Sequence, residues 1–271
     1  MKNNSKKRLD ILLVENGFSD SRNRAQALIM SGKVRVNNQV VNKSGTLINT
    51  NDILTVENSD EWASRGAKKL LKAFEVFNIN VNGKICIDLG ASTGGFTDVL
   101  LKNNAEKIYA VDVGYGQLLW RLANHEKVVV MDRTNARYLT HENFNEKIDF
   151  GTCDVSFISL KLILPVLNDI LNEKTGEAVV LIKPQFEAGR EKLNKNSHGV
   201  IKDKNIHIEV LNSICSFINQ NTDFSISGLT HSPIRGPEGN IEFLCWLTRV
   251  NNNFEINTEN IVNTAHEDFF N

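Results

Sequence analysis

Two lysines and two acidic residues stand at the boundaries of separate apolar segments, where a folded sheet would gather them. Asp154 ends the segment IDFGTCD, Lys183 follows the apolar run AVVLI, and Glu242 opens EFLCWL. Lys69 belongs to the first turn of a helix-like pattern, GAKKLLKAF. Such a group can align a hydroxyl with an electrophile and take its proton. A surface ion-pair cluster of little energetic value is the alternative, but a lysine that closes an apolar run is unusual for a solvated charge.

A glycine-rich turn follows the first apolar strand pattern, in the stretch KICIDLGASTGGFTDVLL. It lacks the residue order of a phosphate-binding loop (GxxxxGK, then Ser or Thr) and that of a dinucleotide turn (GxGxxG). Asp88, just before the first glycine, would repel a pyrophosphate but favour a ligand with an ammonium group, such as S-adenosylmethionine. We therefore predict that this turn binds that cofactor through Asp88, Gly90, Ser92, Gly94, Gly95 and Phe96.

Two further acids end the next predicted strands. Asp112 ends KIYAVD and suits hydrogen bonds from ribose hydroxyls, by analogy with the acid of dinucleotide-binding folds. Asp132 ends VVVMD and could face the adenine. An ordinary strand-end acid in a loop is an equally good interpretation of Asp132.

The same turn also matches the GxSxG pattern of a serine hydrolase. Ser92, Asp154 and His231 follow the chain order of that catalytic triad. The hydrolase turn usually follows several strands, however, whereas this one follows the first, and no HGGG-like oxyanion segment is present. A hydrolase therefore stays the weaker alternative, and Ser92 is better explained as a small residue that lets the backbone approach the cofactor.

The composition indicates a globular protein of one or two domains, with 271 residues of which 41% are hydrophobic. No apolar run approaches the roughly 20 residues of a membrane helix, and no apolar segment of signal-peptide length opens the chain. We therefore expect a cytoplasmic protein without a membrane span. The four cysteines form no CxxC pair and the histidines lack metal-site spacing, so we expect buried thiols and no metal.

The net charge of −1 conceals a basic N-terminal part, because residues 1–50 hold nine Lys and Arg against three acids. Their pattern predicts two short helices, the second capped by Ser21, then a hairpin around Asn37 and Asn38 and a further strand. A solvated basic surface is the alternative, but this order of elements favours a module that binds a polyanion. Its predicted contacts to a polyanion are Arg8, Arg22, Arg24, Lys33 and Arg35.

Beyond a polar linker at 59–65, the pattern changes to alternating helices and strands. The strand patterns KICIDL, KIYAVDV, VVVMD, IDFGTCDV and AVVLIK are apolar, as in a parallel sheet covered on both faces. FSISGLTHS and NIEFLCWLTRV predict an antiparallel end. The predicted fold class is α/β, with a small α+β, polyanion-binding domain over 1–58 and a Rossmann-like, mostly parallel sheet over 66–271. Ligands of such sheets bind beyond the carboxyl ends of the strands.

Two parts of the chain resemble known families. The run RLD-LL-E-G---SR--A---I--GKV-VN resembles the RNA-binding domain of ribosomal protein S-four, which implies recognition of structured RNA through backbone and shape. The motifs SRGAKKL, DLGASTGGFTDVLL, CDVSFISL, LIKPQFE and GNIEFL resemble the TlyA family, whose catalytic domain is an FtsJ-like methyltransferase. That resemblance implies 2′-O-methylation of cytidine in ribosomal RNA, with S-adenosylmethionine as cofactor, in assembled or partly assembled subunits.

The family's Lys-Asp-Lys-Glu tetrad falls on Lys69, Asp154, Lys183 and Glu242, with Lys69 preferred to Lys68 because of the KL that follows it. Arg65, in the first motif, and Arg190, in the polar segment 185–203, are further predicted RNA contacts. A surface loop is nearly as good an interpretation of that segment. Members of the family often carry the name haemolysin, which the lack of a membrane-inserting segment does not support.

In the mechanism that we expect, Lys183 acts as a base toward the ribose 2′-hydroxyl and must be neutral to do so. Burial and Lys69 favour its neutral form, whereas Asp154 and Glu242 favour its charged form, and the sequence leaves that balance open. Three function classes stay in view: an RNA methyltransferase, a serine hydrolase, and a non-catalytic RNA-binding or cytolytic protein.

Overall fold

The computed structural model describes residues 6–19, 21–56, 62–189, 199–236, 238–250 and 254–270. They belong to two units, one of Met1–Ala63 with Leu118–His125 and one of Ser64–Gln117 with Glu126–Asn271. The predicted linker at 59–65 lies partly outside the described residues. The sequence does not indicate that 118–125 belongs to the first unit.

The first unit contains the predicted helix pair and hairpin. Its elements are β1 (Lys6–Arg8), α1 (Leu9–Glu15), α2 (Arg22–Met30), β2 (Val34–Val36), β3 (Gln39–Val40), β4 (Leu47–Asn49) and β5 (Leu54–Val56). β3, β2 and β5 form one antiparallel sheet, and β1 pairs with β4. The predicted cap is confirmed, because the Ser21 hydroxyl accepts a hydrogen bond from the N–H of Arg24. Asn37 and Asn38 both have positive φ, as a tight hairpin turn requires.

A carboxylate is buried in the core of this unit. Asp10 is fully buried beside Leu9 and accepts hydrogen bonds from Arg8, Arg22 and Gln26. The Arg8 guanidinium holds the pKa of this carboxyl well below its usual range. Because a buried charge is costly without such partners, the two arginines support the fold, a role that the sequence does not reveal.

The second unit alternates helices and strands. Its elements are α3 (Ala67–Phe77), β6 (Ile85–Leu89), α4 (Gly95–Lys102), β7 (Lys107–Val111), β8 (Val128–Met131), β9 (Phe150–Cys153), α6 (Leu164–Ile170), β10 (Glu177–Ile182), α7 (Pro184–Glu187), α8 (Lys204–Asn221), β11 (Ser225–His231), β12 (Phe243–Thr248) and α9 (Thr258–Phe270), while α5 (Trp120–Ala123) belongs to the first unit. Short 3₁₀ turns lie at Ala136–Tyr138, His141–Asn143 and Leu160–Leu162.

The strands of this unit form one sheet in the order β11-β12-β10-β9-β6-β7-β8. The five strands from β10 to β8 are parallel, and β12 runs antiparallel to both of its neighbours, β10 and β11. The parallel core strands are buried on both faces, as is usual for such sheets. The predicted fold class is therefore confirmed. The chain passes from β6 to β7 on one side and later to β9 on the other, so the ligand-binding switch point lies between β6 and β9.

Candidate active site

The four predicted catalytic side chains meet in one cluster. Lys69 Nζ lies 2.7 Å from Glu242 Oε2 and 3.2 Å from Asp154 Oδ2. Lys183 Nζ lies 2.6 Å from Asp154 Oδ1. Asp154 therefore bridges the two amino groups, and Glu242 is joined to the cluster through Lys69.

Strand direction explains this convergence. β9 and β10 run parallel and end at the same edge, where Asp154 and Lys183 follow them. β12 runs antiparallel to β10 and therefore begins at this edge, directly after Glu242. Lys69 lies in the first turn of α3 and is buried, whereas Lys68 is exposed. The structure thus places Lys69, and not its neighbour, in the cluster.

Three of the four charged side chains of this cluster are buried, and that of Asp154 is 19% exposed. Lys69, Lys183 and Glu242 are 7%, 6% and 1% exposed. Burial lowers the pKa of Lys69, but the charges of Asp154 and Glu242 outweigh that effect, so the pKa stands above its usual value. Burial raises the pKa of Glu242, and Lys69 offsets only part of that rise. Lys69 is therefore protonated and holds the carboxylates of Asp154 and Glu242 in place. Besides its contact with Asp154, Lys183 donates a hydrogen bond to Ser156 Oγ at 2.8 Å.

Two adjoining cavities open at this edge of the sheet. The first, here named the catalytic cavity, has a volume of about 330 Å³ and is lined by the glycine turn and by Ser64, Arg65, Lys69, Gly95, Phe96, Asp154, Ser156, Lys183 and Arg235. The second, here named the cofactor cavity, has a volume of about 550 Å³ and is lined by residues that include Asp112, Gln117, Asn135, Ala136 and Phe157. Both cavities include Gly90, Ser92, Asp154 and Ser156.

Asp88 lies beneath the glycine turn and lines neither cavity. It is fully buried, and its oxygens accept hydrogen bonds from the hydroxyls of Thr97 at 2.7 Å and Thr152 at 2.9 Å. Burial raises the pKa of Asp88 to about 6. The expected contact between this carboxylate and the cofactor's ammonium group is therefore not what the structure shows. Asp88 instead ties β6 to α4 and β9 and sets the position of the turn.

The turn itself depends on close backbone packing. Gly90 has φ +84°, and a Cβ there would lie 2.9 Å from the carbonyl oxygen of Asp154. Ser92 has φ +49°, and its N–H donates to Asp112 Oδ2 at 2.8 Å. Gly94 has φ +97° and precedes the first residue of α4. These contacts hold the end of β6 against the end of β9 and leave the turn open to both cavities.

The two remaining predicted acids have different positions. Asp112 lines the cofactor cavity and also accepts a hydrogen bond from the N–H of Gly114 at 2.7 Å. Asp132 accepts one from the N–H of Gly116 at 2.8 Å and is not among the residues that line the cavity. The expectation that Asp132 faces the adenine is thus not supported, and the strand-end alternative fits it. Asn135 lies on the cavity wall instead.

Several residues that line the cavities were not predicted as site residues, among them Asn135, Phe157 and Arg235. Asn135 lies in the loop after β8, and the sequence does not specify the course of that loop. Phe157, in the CDVSFISL motif, is 88% exposed with φ +65°, and its combination of aromatic character and strand-end position was the available signal. Arg235 lies in the PIRGPEG connection, and nothing local distinguishes it from other surface cations.

The hydrolase triad is not assembled. Asp154 contacts Lys69 and Lys183, as described above, and His231 Nε2 lies 2.9 Å from Asp268 Oδ2. Each candidate triad member is therefore held by other partners. Ser92 contributes its backbone to the turn, which agrees with the cofactor interpretation of this residue.

The predicted RNA contacts differ in their environment. Arg24 and Lys33 are exposed on the first unit, and Arg35 is half-buried. Arg8 and Arg22 are engaged by Asp10, although their side chains are still 42% and 55% exposed. In the second unit, Arg65 is exposed and lines the catalytic cavity. Arg190 lies outside the described residues.

The described residues include neither a candidate metal site nor a candidate membrane span. No group of three His, Cys, Asp or Glu side chains in these ranges is arranged to hold a metal ion. No helix within the described ranges combines the length and apolar character needed to cross a membrane.

Comparison with known proteins gives matches over both units. Residues 62–249 match the FtsJ-like methyltransferase family, and residues 7–54 match the S4 domain. A Mycobacterium tuberculosis protein named 16S/23S rRNA (cytidine-2′-O)-methyltransferase TlyA is 42% identical over 89% of each chain. A Bacillus subtilis protein, YqxC, provisionally named an rRNA methyltransferase, is 48% identical over 89% of this chain and 85% of its own. A solved structure from Streptococcus thermophilus, provisionally named a haemolysin, is 41% identical, with a TM-score of 0.73 and 97% of both chains covered.

Proposed function

We propose, from the premise that this chain belongs to the TlyA family of FtsJ-like methyltransferases, that it methylates the 2′-hydroxyl of a cytidine in ribosomal RNA. The chain is a methyltransferase by its family. The choice of cytidine and of ribosomal RNA rests on the names of the relatives and on the basic N-terminal unit. The observation that carries the proposed chemistry is the cluster of Lys69, Asp154, Lys183 and Glu242 at one edge of the sheet, of which all but Asp154 are buried.

The two cavities fit S-adenosylmethionine. The cofactor cavity, at about 550 Å³, lies in the range of sites for ligands of that size. Asp112 would accept hydrogen bonds from the ribose hydroxyls, Asn135 would lie beside the base, and the N–H groups of Gly95 and Phe96 at the start of α4 would bind the carboxylate. When bound, the cofactor supplies a methyl group on a positively charged sulfur, which is already activated for transfer.

Lys183 takes the proton of the 2′-hydroxyl in this proposal. It must be neutral when it does so, because an ammonium group has donors and no acceptor. Asp154 and Ser156 orient its amino group, at 2.6 Å and 2.8 Å. Lys69 keeps its charge and fixes Asp154. Proton removal is thus assigned to Lys183, and the orientation of its amino group to the neighbouring side chains.

The first unit supplies RNA affinity through exposed cations such as Arg24 and Lys33. Contacts to phosphates and to the shape of a folded RNA suit a small basic module. The substrate is then ribosomal RNA in assembled or partly assembled subunits, and the enzyme acts in the cytoplasm. In the second unit, Phe157 is an exposed ring in the loop after Asp154, placed to stack on an unpaired base.

Methyl mapping tests this proposal. The protein is incubated with S-adenosylmethionine that carries a deuterated methyl group and with ribosomal subunits or their protein-free RNA. The RNA is digested to nucleosides and analysed by mass spectrometry, and we expect the label in 2′-O-methylcytidine. Label in a base, or in another 2′-O-methylnucleoside alone, would contradict the assignment. So would a protein that binds the cofactor but labels none of these RNAs.

A further inference from the structure

The catalytic cavity carries more positive charge than its carboxylates balance. The cations of its described lining are Arg65, Lys69, Lys183 and Arg235. Asp154 and Glu242 balance the two lysines when all four groups are ionised, since both acids contact the cluster's amino groups. The two arginines are then in surplus. In RNA, every internal 2′-hydroxyl has a phosphate on the neighbouring 3′-oxygen, so a hydroxyl held at Lys183 brings an anion to this cavity.

Arg235 is held by the end of the last described helix. One of its terminal nitrogens donates a hydrogen bond to the backbone carbonyl of Phe269. Its guanidinium carbon lies 5.2 Å from the ring centroid of Phe269 and 4.6 Å from that of Phe270. Carbonyl groups in the last turn of a helix lack intrahelical partners and carry partial negative charge, so they attract a guanidinium. The rings add cation–π attraction.

α9 is itself anchored at several points. His231 on β11 contacts Asp268 at 2.9 Å, and His207 Nδ1 on α8 contacts His266 Nε2 at 2.9 Å. Val262 is fully buried on the same helix. The end of α9 therefore forms a fixed support, and the guanidinium that rests on it enters the cavity with little orientational freedom to lose on binding.

We propose that Arg235 binds the phosphate next to the target ribose and so positions the 2′-hydroxyl at Lys183, with the end of α9 setting the place of the guanidinium. The inference rests on the proposed function and names the RNA group that this side of the cavity recognises. A guanidinium has five N–H donors in a plane, so contact with the Phe269 carbonyl leaves donors for a phosphate. Arg235 is a binding and positioning residue, and Lys183 performs the proton transfer.

The test uses Arg235→Gln in the full chain, because glutamine removes the charge but keeps an amide that can donate to the Phe269 carbonyl. Methylation of protein-free 16S and 23S ribosomal RNA gives KM and kcat, filter binding gives the salt dependence of RNA affinity, and calorimetry gives cofactor affinity. We expect KM for RNA to rise about tenfold or more, as for a lost hydrogen bond to a charged group. The slope of log affinity against log salt should fall by roughly 0.7–0.9, with cofactor affinity unchanged.

Two further variants separate charge from position. Arg235→Lys should keep the salt slope but recover only part of the KM, because an ammonium group lacks the planar donors. Phe270→Ala removes an exposed ring and should raise KM while the salt slope stays that of the wild type. Lys174→Ala is the matched control, since this exposed cation precedes β10 at the opposite edge of the sheet; it should leave KM unchanged.

The outcomes distinguish this inference from the proposed function. A wild-type protein that methylates ribosomal RNA, together with an Arg235→Gln variant that has the same RNA KM and salt slope, would overturn the inference alone. A variant that loses cofactor affinity instead would also overturn it, because the guanidinium would then serve the cofactor's carboxylate. If the wild type methylates none of these RNAs, the proposed function fails, and the salt slope still decides whether Arg235 binds a phosphate.

Discussion

Replacing Asp88 by asparagine should change how the stability of the protein depends on pH. This carboxyl group is fully buried between the hydroxyls of Thr97 and Thr152. Burial raises its pKa from 3.8 to about 6, although both threonine hydrogen bonds oppose that rise. Asparagine has the same shape and can use the same partners, but it cannot ionise. The substitution therefore removes the titration and keeps the glycine turn in place.

The sign and the magnitude follow from the two pKa values. The folded protein holds this proton more tightly than the unfolded chain, so the stabilising contribution is complete below the unfolded pKa and is lost as the pH rises through about 6. A difference of about two units corresponds to about 3 kcal/mol, of which about 2 kcal/mol falls between about pH 4.5 and pH 8. Over that range, Asp88→Asn should gain about 2 kcal/mol relative to the wild type.

Urea unfolding at a series of pH values measures this difference directly. Subtracting the wild-type curve from that of the variant removes the groups that titrate in both proteins. Asp169→Asn is a control of opposite sign, because the hydrogen bond from the backbone N–H of His141 lowers the pKa of Asp169. That variant should lose stability relative to the wild type as the pH rises. A flat difference curve for Asp88→Asn, or one that falls with pH, would refute the reasoning about its burial.

Three further predictions concern RNA and the turn. Replacing Arg24 and Lys33 together by alanine should lower the salt slope of RNA binding by roughly 1.4–1.8. Arg22→Ala should lower the urea midpoint, because it removes a partner of Asp10; a midpoint equal to that of the wild type would argue against that pairing. Ser92→Ala should retain most methyl transfer in a radiolabel assay. Loss of methyl transfer in this variant would reopen the hydrolase alternative. At saturating cofactor, Phe157→Ala should slow methylation of ribosomal RNA while the urea midpoint stays constant; an unchanged rate would exclude the stacking role.

The sequence was sufficient to predict the cluster because the direction of three strands, together with the start of one helix, brings its members together. A charged residue directly after an apolar strand lies at the carboxyl edge, and this rule placed Asp154 and Lys183 correctly. The antiparallel direction of the last strand placed Glu242, and the first turn of a helix placed Lys69. None of these positions depends on the course of a loop.

Other residues depended on contacts that the local sequence does not contain. The position of Asp88 at the end of a strand does not show that it lies under the turn, because its partners are hydroxyls on α4 and β9. Asp132 and Asn135 occupy a loop, where neighbouring residues can exchange roles. Arg235 acquires its position from aromatic residues 34 and 35 positions away, on a helix with no sequence link to the cavity.

The most direct test of the proposed chemistry is single-turnover methylation by Lys183→Ala and Lys183→Arg at saturating cofactor and RNA. Both variants should bind both ligands, and both should be slower than the wild type by at least roughly the 100-fold typical of a lost general base, since arginine keeps the charge but does not become neutral. A wild-type rate in the alanine variant would contradict the active-site assignment, and recovery by arginine would contradict the role of Lys183 as the base.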